Sequence, residues 1–545
     1  MRSLPTELLL ATFNILIDEW PFTPWDVTVQ CAECSEARPR WSLRYKACIV
    51  PSLTHDGTSR KACQTMRLGW VNLTHVCSAW RGILINMPAL WTTITEYMSP
   101  DCVHALSARS KDQLLDVSWL NIAKKFKNDE AMAHVAQSAH SRIHRLATSD
   151  DVINLYAEAF TDHPLSSLQS LTLHVGRNVT AAVILPLQAH DLSELVLHAK
   201  PCSATMSFFA IPGLRKLSIH FQNGDGMDPD VLEQLLGSLS LLESLEELYL
   251  DELVRHNGFE VSWDDIIDPS VNLSQCSVLE LQGDQLIVDS ILCATTISPH
   301  ACLRLSGSIE NPHLGPSVIG TCYALDRVTE PSAAPFLSAS LRIDTKWFWG
   351  MVAEQWTLTA ARRSFDDSDR TKGADFTVIW DKDLKDTHDT ALGDICASFA
   401  SSVRDLSFTQ SNAAPSAPPH LYHVCFSSWS LVERLRVTGS VAAHSVVDAL
   451  LSSRTNEGTD DDQLIFPRLR VLEFIDVKWE DAIDEGRVLG EKLSKTLQER
   501  YETGSQLEVL VVPDLEALKA LVWWKALQDI ACVEQAAYTD TVASL

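Results

Sequence analysis

The chain reads as α/β: a small all-α unit over residues 1–95, then an irregular repeat solenoid with a parallel sheet and a C-terminal cap helix over 96–545. Three observations predict this class. Apolar residues near the N-terminus recur at helical spacing. From about Leu114 onward short runs written Leu-x-x-Leu-x-Leu take over. The intervals between those runs are long enough to hold a helix.

The first helix carries its own local signals. Pro5 suits the first helical position, where its missing N–H costs nothing, and Glu7 complements the positive end of the helix dipole. Leu9, Phe13 and Leu16 then share a face, with Leu8, Ala11, Thr12 and Ile15 beside them. A second stripe runs through Leu73, Val76, Trp80, Ile83, Leu84 and Met87, and Pro88 should end it. Between the two, residues 21–67 lose periodicity and collect Pro21, Pro24, Pro39, Pro51 and Gly57, which reads as an irregular insertion.

Strand-like runs follow at Leu168, Leu171 and Leu173; at Leu192, Leu195 and Leu197; at Leu214, Leu217 and Ile219; and at Leu245, Leu248 and Leu250. Weaker copies centre on Leu279, Leu303, Leu341, Leu406, Leu435, Leu472 and Leu510, and over strong and weak copies together the steps run from 22 to 38 residues with one gap of 65. That gap splits if Phe376, Val378 and Trp380 form one more strand. Helical intervals are clearest at Pro229–Leu236 and Ile483–Tyr501, and a helix over Asp514–Ile530 should cap the array. No single strand–helix unit can bury its faces alone, so neighbours must stack into one core. The asparagine that follows the strand in regular repeats is missing after Leu173, Leu197, Ile219 and Leu250, so the array should be irregular.

Composition excludes more than it identifies. Lys and Arg number 44 against 71 Asp and Glu, a formal charge of −27 that repels phosphate backbones and anionic lipid. Neither nucleic acid nor a membrane is therefore an expected partner. The Leu8–Ile17 stretch is too short to cross a bilayer. Fourteen cysteines spread from Cys31 to Cys532 match the reduced thiols of a cytoplasmic or nuclear protein.

Phosphate-binding glycine loops, nucleophile elbows and His-Glu-x-x-His helices are missing, and the eighteen histidines show no pairing with a nucleophile. An enzyme is not predicted, and no cofactor is expected. Cys31 and Cys34 form a Cys-x-x-Cys knuckle with Cys48, His55 and Cys63 available to complete a zinc site. Since all of them sit in the irregular insertion, plain thiols are the favoured reading and zinc binding the weaker alternative.

Leu4-Pro5-Thr6-Glu7-Leu8-Leu9 followed by Phe13, and then Val76-Cys77-Ser78-Ala79-Trp80-Arg81, resemble the two halves of the F-box motif. The continuation Met87-Pro88-Ala89-Leu90-Trp91 is similar to the large F-box families of mushroom-forming fungi, and the later runs resemble irregular leucine-rich repeats. The resemblance implies a substrate adaptor of a Skp–cullin–F-box ubiquitin ligase. A Skp-type adaptor, and through it a cullin, would bind the F-box, and a protein substrate of unknown identity would bind the repeats. It also implies an adaptor surface built from Leu4, Pro5, Leu8, Leu9, Phe13, Val76, Cys77, Trp80 and Leu84. A non-ligase interaction scaffold is the alternative. In the family the two halves lie closer together than they do here, where 21–67 intervenes.

Overall fold

A computed structural model describes Thr12 and Phe13 and, with short interruptions, residues 74–119, 129–155, 162–176, 189–202, 211–254, 271–308, 319–362, 376–382, 395–410, 426–452, 465–512 and 523–535. The chain divides into two compact units, residues 1–196 and 197–545. Both are mixed α/β with parallel strands. No helix among the described residues is long and apolar enough to cross a membrane.

In the first unit, helix α1 (Ser78–Ile85) starts from an extended Cys77 whose Sγ accepts a hydrogen bond from Trp80 N at 3.5 Å. It stops at Asn86, and Pro88 opens a 3-10 turn through Trp91, because proline can begin such a turn but not continue a helix. The helix is shorter than the apolar stripe suggests, and Val76 lies ahead of it and exposed. Trp91 is buried; its Nε1 donates to Leu84 O at 3.0 Å, and the Arg109 guanidinium lies 4.4 Å from its ring centre.

Strands β1 (Thr93–Thr95), β2 (Leu115–Trp119), β3 (Ile143–Ser149) and β4 (Ser170–His174) pair in parallel in that order. Helix α2 (Pro100–Arg109) fills the interval after β1 and α3 (Asp129–Ser138) the interval after β2, and the two pack together. Helix α4 (Asp150–Leu155) follows β3. Asp150 Oδ2 accepts from Gly176 N at 2.9 Å, and Asp151 N donates to its Oδ1, also at 2.9 Å. A carboxylate thus ties one turn to the next, where a regular repeat would use asparagine.

Strand β5 (Glu194–Ala199) runs across the division between the units. In the second unit β6 (Lys216–Phe221), β7 (Glu247–Leu253), β8 (Val278–Asp284) and β9 (Cys302–Ser308) are parallel neighbours. Leu217, Leu248, Leu279 and Leu303 stand opposite one another in register and are fully buried. The same alignment recurs through Leu406, Leu435, Leu472 and Leu510 in β13 (Asp405–Gln410), β14 (Arg434–Thr438), β15 (Val471–Ile475) and β16 (Val509–Val512). The leucines are the spine of the core because alternate strand residues point to one face.

The gap of 65 residues has a topological cause. Strand β10 (Ser338–Phe348) pairs in parallel with β13; β11 (Met351–Ala361) turns back antiparallel; β12 (Phe376–Lys382) runs forward again beside β9. The spatial order is β9, β12, β11, β10, β13, so the chain skips two places and a hairpin returns to fill them. A last strand, β17 (Cys532–Gln535), adds to β16.

Helices cover the other side of these strands. Asp228 caps α5 (Pro229–Leu239) by accepting from Val231 N at 2.8 Å, and the helix buries Val231, Leu232, Leu235, Leu236 and Leu239. Asp284 caps α6 (Gln285–Cys293) through Leu286 N at 3.0 Å, and α6 packs on β8, β9 and α7 (Ile319–Val328). Helix α8 (Ser440–Ser452) lies on β13 and β14 and packs against α9 (Leu489–Glu502), which in turn meets α10 (Trp524–Gln528). Helix α9 begins at Leu489, later than the periodicity suggests, since Ile483 belongs to a two-residue ladder with 487–488. Trp523 is buried beside Trp479 and fills the space over Gly490, where a Cβ would lie 2.0 Å from its ring.

Candidate functional site

Among the F-box-like residues, Leu4, Pro5, Leu8 and Leu9 lie outside the described residues, as do the knuckle residues Cys31, Cys34, Cys48, His55 and Cys63. Phe13 is fully buried and meets the half-buried Trp80 edge to face, with ring centres 5.0 Å apart and planes at 79°. Leu84 is fully buried, whereas Val76 is 59% exposed and Cys77 exposed beside it. The first and second halves of the motif therefore touch in space despite the sequence between them. Phe13 and Leu84 support from within, and Val76 and Cys77 face outward.

The second candidate surface is the open face of the sheet in the unit 197–545. Its side chains alternate with the buried leucines and form charge pairs across neighbouring strands. Lys216 Nζ lies 3.2 Å from Glu247 Oε2, and Arg304 Nη1 lies 3.3 Å from Glu280 Oε2. Arg436 Nε donates to Glu473 Oε2 at 2.8 Å. Tyr249 OH donates to Glu247 Oε2 at 3.0 Å, with Lys216 Nζ 5.4 Å from its ring centre. Burial first, and then the bond and negative charge of Glu247, push the Tyr249 phenol up to about 12, so it stays a donor at neutral pH.

One residue ahead of each strand runs a second ladder. Arg215 Nε donates to Glu246 Oε1 at 2.8 Å. Farther on, Arg404 Nη1 is 3.7 Å from Glu433 Oε1, and Arg470 grips Glu508 with both nitrogens at 2.6 and 2.8 Å. That bond lowers the Glu508 carboxyl and raises the Arg470 guanidinium. The backbones are tied in the same rows, with Glu433 N donating to Arg404 O, Arg470 N to Glu433 O, and Glu508 N to Arg470 O, each at 2.8 Å.

Arg215, Lys216, Glu246 and Glu247 thus share this surface as two neighbouring pairs. Exposed pairs of this kind are worth about 0–1 kcal/mol each. Reversing Arg215 and Lys216 to Glu should therefore leave the unfolding midpoint nearly unchanged while altering which proteins co-purify. An unchanged set of co-purifying proteins would remove this face from consideration.

Among the described residues no group of three His, Cys, Asp or Glu side chains is placed to hold a metal ion. One polar chain escaped the sequence reading: Ser218 Oγ lies 3.1 Å from His220 Nε2, and His220 Nδ1 lies 3.2 Å from Asp251 Oδ2.

Comparison with known proteins adds little. No family model matches the chain, and no curated protein matches it. Among solved structures, the leucine-rich repeat-containing protein LegL7 from Legionella pneumophila aligns with a TM-score of 0.26 and 12% identity, over 63% of this chain and 93% of that one.

Proposed function

We propose that this chain is the substrate-recognition adaptor of a Skp–cullin–F-box ubiquitin ligase: an F-box holding a Skp-type adaptor, and leucine-rich repeats holding a protein substrate. The observation that carries the reading is the Phe13–Trp80 contact. It joins the Leu4–Phe13 half of the F-box-like motif to the Val76–Arg81 half, and apolar Val76 stands exposed just ahead of α1. An exposed apolar position beside a half-buried tryptophan is the kind of surface on which a partner anchors.

The repeats supply the other requirement. A broad, rigid sheet face with alternating charges and a tyrosine can discriminate among protein surfaces while contributing modestly to stability. An adaptor of this kind needs no catalytic group for ubiquitin transfer. It accelerates transfer by holding the substrate lysine at high effective concentration near a thioester carried by another subunit. The location proposed with it is the cytoplasm or nucleus.

The test is co-purification of the intact chain with a Skp-type adaptor and a cullin. Adaptor and cullin together support the ligase; adaptor without cullin supports a non-ligase scaffold; neither defeats both.

Deleting residues 22–66 should preserve adaptor binding within about threefold, because closing a long loop costs free energy that grows only with the logarithm of its length. Titration calorimetry against the purified adaptor checks this. Loss of binding, with one equivalent of zinc in the intact protein by elemental analysis, would favour the cysteine-rich metal site instead.

A further inference from the structure

We propose that Ser218, His220 and Asp251 form a hydrolytic site for small carboxylic esters on the open sheet face, separate from any adaptor role. The three are connected in the order that acyl transfer requires. A carboxylate can only accept, so Asp251 Oδ2 at 3.2 Å fixes the His220 proton on Nδ1 and leaves Nε2 as the acceptor for the Ser218 hydroxyl at 3.1 Å. Ser138 offers a contrast: it also lies 3.2 Å from a histidine Nε2, that of His134, yet its hydroxyl points into the helix, donating to His134 O at 2.7 Å.

The surroundings hold this arrangement still. His198 stacks on His220 with ring centres 4.7 Å apart and planes within 11°. Asp251 Oδ1 accepts from Glu252 N at 2.8 Å, at a bulge where β7 shifts register and Glu252 adopts φ 58°. The bulge is locked from the next strand, since Gly283 has φ 152° and any Cβ there would meet Leu253 O at 2.2 Å. Bulges and left-handed non-glycine residues are costly and concentrate beside functional groups. His220 and Asp251 also sit toward the C-terminal ends of parallel strands, where α/β folds bind ligands.

The chemistry balances without a cofactor. Ser218 Oγ bonds to the acyl carbon as its proton passes to His220 Nε2, and the carbonyl electron pair moves onto oxygen. When that pair returns, the ester C–O bond breaks and the leaving alcohol takes the proton from Nε2. Water then repeats the sequence through His220, releasing the carboxylic acid and restoring the serine. Ser218 is only 8% exposed, so a short acyl group such as acetyl is the fitting substrate.

The full-length chain would be treated with a fluorophosphonate probe, with the labelled peptide mapped by mass spectrometry, and assayed with 4-nitrophenyl acetate. Expected are one label on Ser218, at least a 100-fold slower labelling in His220→Gln, and at least a tenfold lower kcat at unchanged KM in Asp251→Asn. Wild-type labelling is read without any variant, so misfolding of a variant cannot rescue the proposal. No label, a label elsewhere, or equal labelling in His220→Gln would overturn it.

Discussion

Replacing Trp80 and Leu9 together by alanine is expected to abolish binding of a Skp-type adaptor by the full-length chain. Trp80 is half-buried and lies against Phe13, with Val76 and Cys77 exposed just before its helix. Truncating one buried interface anchor costs about 2–4 kcal/mol, a roughly 30- to 1,000-fold loss of affinity, and two such losses exceed the range of most binding assays. Since Trp80 also buttresses Phe13, part of the effect will come from loosening the first unit. Val76→Glu separates the two causes: at 59% exposure it should leave the fold intact yet put a charge into the interface. Surface plasmon resonance against the purified adaptor measures both. Undiminished affinity in the double variant and in Val76→Glu would end the F-box reading, while the unit 197–545 should keep its unfolding midpoint throughout.

The strands were legible where leucine marked them. Leu217, Leu248, Leu279 and Leu303 are opposite one another in the sheet, and so are Leu406, Leu435, Leu472 and Leu510, because a buried period-2 pattern specifies register strongly. Strands β1 and β3 escaped because Thr93-Ile94-Thr95 and Ile143–Ser149 contain at most one leucine each. The hairpin β10–β11 escaped because strand periodicity carries no direction, so nothing local marks β11 as antiparallel. Strand β17 was hidden behind the apolar stretch around Trp523 and Trp524, which reads as helix as far as Ile530; α10 ends at Gln528 and a strand follows from Cys532.

The candidate sites were legible to different degrees. Motif residues pointed to Phe13 and Trp80 but not to their contact, which depends on how the chain closes between them. The outer charge ladder had a readable signature, since Arg404, Glu433, Arg470 and Glu508 each stand two residues before the aligned leucine. The Ser218–His220–Asp251 chain was readable only with the register: the step that carries Leu217 onto Leu248 also carries His220 onto Asp251.

Arg500→Met should weaken the second unit more than any surface change discussed above. Arg500 is 2% exposed on α9; its Nη1 donates to Ile465 O at 2.8 Å and its Nη2 to Phe466 O at 2.7 Å. Those carbonyls belong to the turn entering β15, where Phe466 adopts φ 51° and packs on Phe426 at 5.2 Å between ring centres. Burial pushes the guanidinium down to about 10, still far above neutrality, so the bonds remain charge-assisted at physiological pH. Methionine matches much of the volume but donates to neither carbonyl, so Ile465 O loses its bond from Arg500 and Phe466 O keeps only the one from Leu469 N at 3.1 Å. Two lost bonds to a charged group cost about 3–6 kcal/mol, and removing a desolvated charge returns part of that, for a net loss of roughly 2–4 kcal/mol. The loss should be local first: amides of Phe466–Ile475 should exchange roughly 30- to 1,000-fold faster by hydrogen–deuterium mass spectrometry, while those of β6–β8 stay protected. Arg500→Lys, a single point charge without the fork, should fall between the two. Unchanged exchange in Arg500→Met would mean the turn is held by its aromatic packing alone.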